Sequence, residues 1–116
     1  MKSGTDLINE AKARIRQIDA SEALALHVRG TSTFLDVRDL QEVNLGKIPG
    51  AVHISRGNLE TKVEAVIPRD ADVVIYCASG NRSAFAADVM QQMGYTSVCS
   101  LAGGFRGWAE AGGEVD

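Results

Sequence analysis

One stretch of the chain gathers residue types that can do chemistry together: Cys77-Ala78-Ser79-Gly80-Asn81-Arg82-Ser83. It follows the apolar run Val73-Val74-Ile75-Tyr76 and leads into an alanine-rich segment from Ala84. The order of buried strand, small polar turn and helix predicts that the Cys77 sulfur sits over the amino terminus of that helix. Unpaired N–H groups gather there, carry roughly half a positive charge and stabilise anions. A cysteine so placed ionises more readily than a free one, which is the setting of a nucleophile. Gly80 permits a positive φ, so successive N–H groups can point inward as a nest. Arg82 adds a fixed positive charge at the far side of the turn. Cys99, inside Ser97-Val98-Cys99-Ser100-Leu101, has no such loop and reads as a core cysteine.

These residues need a scaffold, and strand-like and helix-like segments alternate along the chain. Thr5 to about Arg16 reads as an amphipathic helix with Leu7, Ile8, Ala11 and Ile15 on one side. Asp19 or Ser21 can cap a second helix that runs through Val28 and stops at Gly30. Strands are expected at Thr33–Val37, Ala51–Ile54, Val73–Tyr76 and Ser97–Leu101, the third of them central. Asp39 to Asn44 reads as a helical turn, Gly46 to Gly50 as a loop, and Leu59 to Val66 as a short helix closed by Pro68. Ser83 to Met93 is the clearest helix, with Ala86, Val89, Met90 and Met93 on one face and Gly94 just past its end. Gly103-Gly104 opens a last helix carrying Phe105, Trp108 and Ala109. Phe105 is also a candidate apolar wall over the site.

Strands separated by helices predict an α/β fold with a mainly parallel sheet covered on both faces. In such sheets the site lies beyond the carboxyl ends of the strands, where Cys77 and Asp36 both fall. Asp36 is therefore expected to brace the cysteine loop by pairing with Arg82 beneath it.

Composition narrows the function. A chain of 116 residues is one domain, and 45% hydrophobic with 23% charged residues is ordinary for a globular protein. Net charge is −3, with Lys and Arg scattered, which argues against nucleic acid or an anionic membrane surface as partner. No apolar run is long enough to cross a bilayer, and the N-terminus has no apolar core of a secretory signal. Two free thiols then fit a reducing cytoplasm. No CxxC pair is present, and the two histidines are His27 and His53, so neither a metal site nor a cofactor is expected. His53 reads as a packed or hydrogen-bonded strand residue, and His27 as a favourable charge near a helix end.

Four ordered motifs carry a family resemblance. Asp36-Val37-Arg38, Gly46-Lys47-Ile48-Pro49-Gly50-Ala51, the cysteine loop Cys77 to Ser83, and Leu101-Ala102-Gly103-Gly104-Phe105-Arg106-Gly107-Trp108 occur in the order seen in rhodanese domains. The chain resembles a single-domain sulfurtransferase of that family from about Gln17 onward. The N-terminal helix then occupies residues 1–16 and a rhodanese-like domain 17–116, for which the resemblance implies three layers α/β/α around a five-stranded sheet. It implies that Cys77 takes a sulfane sulfur from thiosulfate or a related donor and holds it as a persulfide. The sulfur then passes to cyanide or a thiol, with a sulfur-relay protein as a further partner. Residues Ala78, Ser79, Gly80, Asn81, Arg82 and Ser83 would cradle the persulfide, and Asp36 and Arg38 would support the loop.

Two departures stand out. Lys47 replaces a histidine usual in the glycine-loop motif. Ala78 replaces the basic residue that many such loops carry after the cysteine, which removes a charge that could meet the sulfonate of thiosulfate. Two other activities use a similar architecture. Related domains hydrolyse phosphate esters or reduce arsenate with one more residue between cysteine and arginine. This chain has four, Ala78 to Asn81, which leaves less room for a tetrahedral oxyanion. Other members of the family are non-catalytic interaction modules, against which the intact Cys77 loop argues.

Overall fold

The structure, a computed structural model, describes residues 1–116. Its centre is a five-stranded sheet, all parallel, in the order β1-β5-β4-β2-β3. The strands are β1 (Arg16–Ile18), β2 (Thr33–Asp36), β3 (Val52–His53), β4 (Val73–Tyr76) and β5 (Val98–Leu101). The helices between and around them are α1 (Gly4–Arg14), α2 (Ala20–Arg29), α3 (Leu40–Asn44), α4 (Leu59–Val66), α5 (Asn81–Gln92) and α6 (Gly104–Glu110), with a 3-10 turn at Arg56–Asn58.

The central strand explains the layering. Every residue of β4 is buried, as a parallel strand covered on both faces requires. Side chains alternate between the faces. Val73, Ile75 and Cys77 join one core with Leu59 and Val63 of α4 and Ala86, Ala87 and Met90 of α5. Val74 and Tyr76 join the other with Ala23 of α2, Cys99 of β5 and Trp108 of α6. The two cysteines thus belong to opposite faces, and both are free thiols. His27 lies in the second layer, its ring edge-on to Phe34 and Trp108 and its Nε2 2.9 Å from the Pro49 carbonyl. It stands in the last turn of α2, as expected, and this packing and hydrogen bond hold the ring there.

One strand departs from the sequence reading. The first helix ends at Arg14, and Ile15 turns to φ −120°, ψ 164°. Arg16, expected in that helix, instead opens β1, which pairs with β5 in the register Arg16–Cys99, Gln17–Ser100 and Ile18–Leu101. Only Ile18 of β1 is buried, so no apolar alternation marks the strand. Its stability comes from backbone pairing to a strand far along the chain. The helix before it lies against α5, where the Arg14 guanidinium grips Asp88 through Nε at 3.0 Å and Nη2 at 2.8 Å.

The loops after β2, β4 and β5 converge at the carboxyl edge of the sheet. There α6 sits directly on the cysteine turn: the Phe105 N–H donates to the Cys77 carbonyl (2.7 Å) and the Arg106 N–H to the Ala78 carbonyl (3.3 Å). This approach requires glycine at position 104. Its φ is +57°, and a Cβ there would lie 2.5 Å from the Ala78 oxygen and 2.6 Å from the Cys77 oxygen. Gly107, in the same helix, has open space where its Cβ would be. Gly104→Ala is accordingly expected to destabilise the fold by at least about 2 kcal/mol. Gly107→Ala should be neutral or stabilising by up to about 1 kcal/mol through helix propensity. Urea unfolding of the two variants beside the parent checks both, and equal midpoints for the pair would refute the close-approach account.

Candidate active site

Strand parity carries the Cys77 side chain to the α5 face, immediately above that helix's first turn. Gly80 caps the helix in a left-handed conformation, φ +108°. Its N–H donates to Cys77 Sγ at 3.1 Å, and the Ser83 N–H donates to the same sulfur at 3.4 Å. Ser83 Oγ lies 3.4 Å from Sγ as well. Ser79 and Asn81 are exposed at the mouth of the turn, while Ala78 is half-buried. No three His, Cys, Asp or Glu side chains converge on a point where a metal ion could sit.

The electrostatics of the two thiols differ although both are buried, Cys77 at 1% exposure and Cys99 at 4%. Burial, only partly offset by the nearby Arg16 charge, pushes the Cys99 thiol up to about 11. Burial also opposes ionisation of Cys77, but the Ser83 hydroxyl and the N–H groups of Ser83, Gly80 and Ser79 outweigh it and bring that thiol below its ordinary value. Donors aimed at the charged form are what separate the two.

The expected Asp36–Arg82 pair is not formed. Asp36 shares the face of its register partner Tyr76, turned away from the α5 side. It pairs instead with Arg38: Arg38 Nη2 is 2.7 Å from Oδ2 and Nε 3.1 Å from Oδ1, with both residues buried. The same guanidinium donates to the Gly46 carbonyl at 2.7 Å and stacks on Phe105, 4.4 Å from its ring centroid. The Ile48 N–H donates to the Tyr76 hydroxyl at 3.1 Å. Asp36 and Arg38 therefore hold the Gly46–Ile48 loop and the Phe105 wall rather than the cysteine turn. His53 belongs to this support too, with Nε2 2.7 Å from the Arg38 carbonyl. Lys47, the departure in that loop, pairs through its backbone with Asp116 at the chain's end.

Arg82 finds a different carboxylate. Its Nη1 and Nη2 donate to Glu42 Oε1 (2.7 Å) and Oε2 (3.0 Å), joining α5 to α3 in a bidentate pair. Glu42 also accepts from the Asp39 N–H, which completes a capping box at the start of α3. The Asp39-x-x-Glu42 spacing is legible as a cap; its second use on Arg82, across forty residues of chain, is not. Two concavities lie elsewhere. One of about 490 Å³ opens among Arg16, Arg29, Asp72 and Cys99, and one of about 310 Å³ between His27, Phe34 and Pro49.

Comparison with known proteins bears on the family and the fold. The model of the rhodanese-like domain family matches residues 19–111. A sulfurtransferase from Allochromatium vinosum is 38% identical over 100 residues, which span 84% of this chain and 92% of that one. A putative sulfur carrier protein, YrkF of Bacillus subtilis, is 33% identical over 93 residues, 80% of this chain and 45% of its own length. The chain thus spans less than half of that relative. Among solved structures, a protein of unknown function from Rhodopseudomonas palustris, described as a possible tyrosine phosphatase, superposes with a TM-score of 0.91 at 35% identity. That match covers 100% of this chain and 96% of the other.

The Glu42–Arg82 pair makes stability depend on acid. Hydrogen bonding by Arg82, against some burial, lowers Glu42 from 4.5 to about 2. A depressed carboxylate contributes fully above its unfolded value and loses that contribution as pH falls through the folded one. With both side chains about one-third exposed, the pair contributes about 1 kcal/mol. Glu42→Gln should therefore be less stable than the parent by about 1 kcal/mol at neutral pH. The gap should close between about pH 4.5 and pH 2. Denaturant titrations across that range test it, and a gap independent of pH would show that the pair is not its source.

Proposed function

The chain belongs to the rhodanese-like domain family, and from that premise we propose that it is a sulfurtransferase that carries sulfur as a persulfide on Cys77. The observation that carries this reading is the Cys77 sulfur itself, buried yet accepting the Gly80 and Ser83 N–H groups. In the first half-reaction the Cys77 thiolate attacks the outer sulfur of thiosulfate or a related donor. A new S–S bond forms, the donor's S–S bond breaks, and sulfite or the corresponding thiolate leaves with the electron pair. In the second, cyanide or an acceptor thiolate attacks the outer sulfur and expels the Cys77 thiolate. Both steps are displacements, with no external oxidant or reductant. The same N–H groups serve both steps, because an anionic sulfur stands at the end of α5 before and after each.

The phosphatase reading meets a geometric obstacle beyond loop length. A phosphate site needs a guanidinium turned into the cradle, and both arms of Arg82 are engaged by Glu42. The reading as a non-catalytic module leaves the lowered Cys77 thiol without a use. With Ala78 after the cysteine, the loop offers thiosulfate less positive charge than a basic residue would. This supports a persulfide or polysulfide donor, including one presented by a sulfur-relay protein. Two free cysteines fit a reducing compartment such as the cytoplasm.

After incubation with thiosulfate or a polysulfide, intact-mass measurement should find one added sulfur atom on the parent protein, removed again by thiols. Cys77→Ser should gain none, and Cys99→Ser should load as the parent does. A sulfur-loaded Cys77→Ser protein would sink the persulfide mechanism. Aryl phosphates should be hydrolysed at background rate; efficient hydrolysis lost with Cys77 would establish the phosphatase reading instead.

A further inference from the structure

Next to the cysteine, two buried hydroxyls stand in line. Ser83 Oγ lies 3.4 Å from Cys77 Sγ and 2.8 Å from Ser100 Oγ. Both serines are at 0% exposure. The arrangement follows from register: Ser100 on β5 is paired with Ile75 on β4, so it points to the face that Ile75 and Cys77 share. Its neighbour Cys99 points to the other.

Counting protons decides which way the line runs. Two hydroxyl protons are available to the three atoms Oγ, Oγ and Sγ. With Cys77 ionised, Ser100 donates to Ser83, Ser83 donates to the sulfur, and each buried proton has an acceptor. With Cys77 protonated, three protons share the two contacts, so one is left without a partner in the line, and a Ser83 proton kept on the sulfur meets a neutral thiol, a far weaker acceptor than the thiolate. A buried donor left unpaired is unfavourable, and an S–H is too weak a donor to compensate. We infer that Ser100, on β5 and outside the cysteine loop, is a positioning residue for Cys77: its hydroxyl donates to Ser83 Oγ and so aims the Ser83 proton at the sulfur. The inference rests on the reading of Cys77 as the sulfur carrier. It assigns the relay a part in both half-reactions, since the thiolate that attacks is also the thiolate that is expelled. The charge whose field reaches Cys77 is that of Arg82, itself paired with Glu42 and near Asp39, and the relay acts alongside it.

Iodoacetamide alkylation of Cys77, followed by peptide mass against pH on the full-length protein, tests the relay apart from sulfur transfer. In Ser100→Ala the midpoint should move to higher pH. Below the parent's midpoint the rate should fall by roughly threefold to tenfold, as for one hydrogen bond to a charged group's partner. Ser100→Thr keeps the hydroxyl and should keep most of the parental profile. In a Ser83→Ala background, adding Ser100→Ala should change nothing further. Should the alanine variant fail to fold, Ser100→Cys, with its weak donor, replaces it and should give an intermediate midpoint. A parental midpoint in Ser100→Ala or Ser100→Cys, or an equal shift in the absence of the Ser83 hydroxyl, overturns the inference. A shifted profile in a protein that no donor loads with sulfur would remove the proposed function and leave the relay standing.

Discussion

The site depends on one balance, between burial of an anionic sulfur and the backbone N–H groups that compensate it. Burial disfavours the thiolate, as the raised Cys99 thiol shows. A hydrogen bond to a charged group contributes roughly 1.5–3 kcal/mol, so several directed at one sulfur reverse the outcome. The N–H groups are free to point inward because the carbonyls of the same turn are engaged outward. Those of Cys77 and Ala78 accept from the first turn of α6. The turn, the helix that follows it and the helix that sits on it form one unit, and Gly104 is the contact that lets them close.

Around this unit the arginines are committed to carboxylates. The Asp36–Arg38 pair is buried, and its worth lies in geometry rather than net stability, because desolvation offsets much of the attraction. It fixes the Gly46 carbonyl and the Phe105 ring that wall the carboxyl edge. The Arg82–Glu42 pair is partly exposed and ties α3 to the start of α5. With its guanidinium held from outside by Glu42, Arg82 stands near Cys77 as a charge, and on the proposed reading it is not a clamp on a tetrahedral anion. The distinction bears on reaction class: sulfane sulfur needs stabilisation of one charged atom, whereas phosphate needs several oxygens held at once.

Much of the fold was legible where local pattern and burial coincide. The apolar run of β4, the alanine-rich face of α5 and the glycine-closed turn at Cys77 each carry their signal within a few residues. The strand β1 was not legible, because two of its three residues are exposed and its pairing partner is β5. The partner of Arg82 was misassigned for a related reason. Both Asp36 and Arg82 lie near strand ends, but strand parity turns Asp36 toward Tyr76, and parity constrains direction only once the register between strands is known. Glu42 was visible as a helix cap and invisible as the counter-ion of Arg82.

What the sequence determined by itself was the local make-up of the candidate site: a cysteine, a glycine and small polar residues between a buried strand and a helix, in the order and spacing that bring N–H groups to a sulfur. These are interactions within about one turn of chain, set by local backbone conformation. Tertiary structure alone decided which arginine meets which carboxylate, which face each cysteine occupies, and that Ser100 stands behind Ser83. Those outcomes depend on the register of parallel strands joined through long crossovers, and in such a sheet neighbours in space are tens of residues apart in sequence.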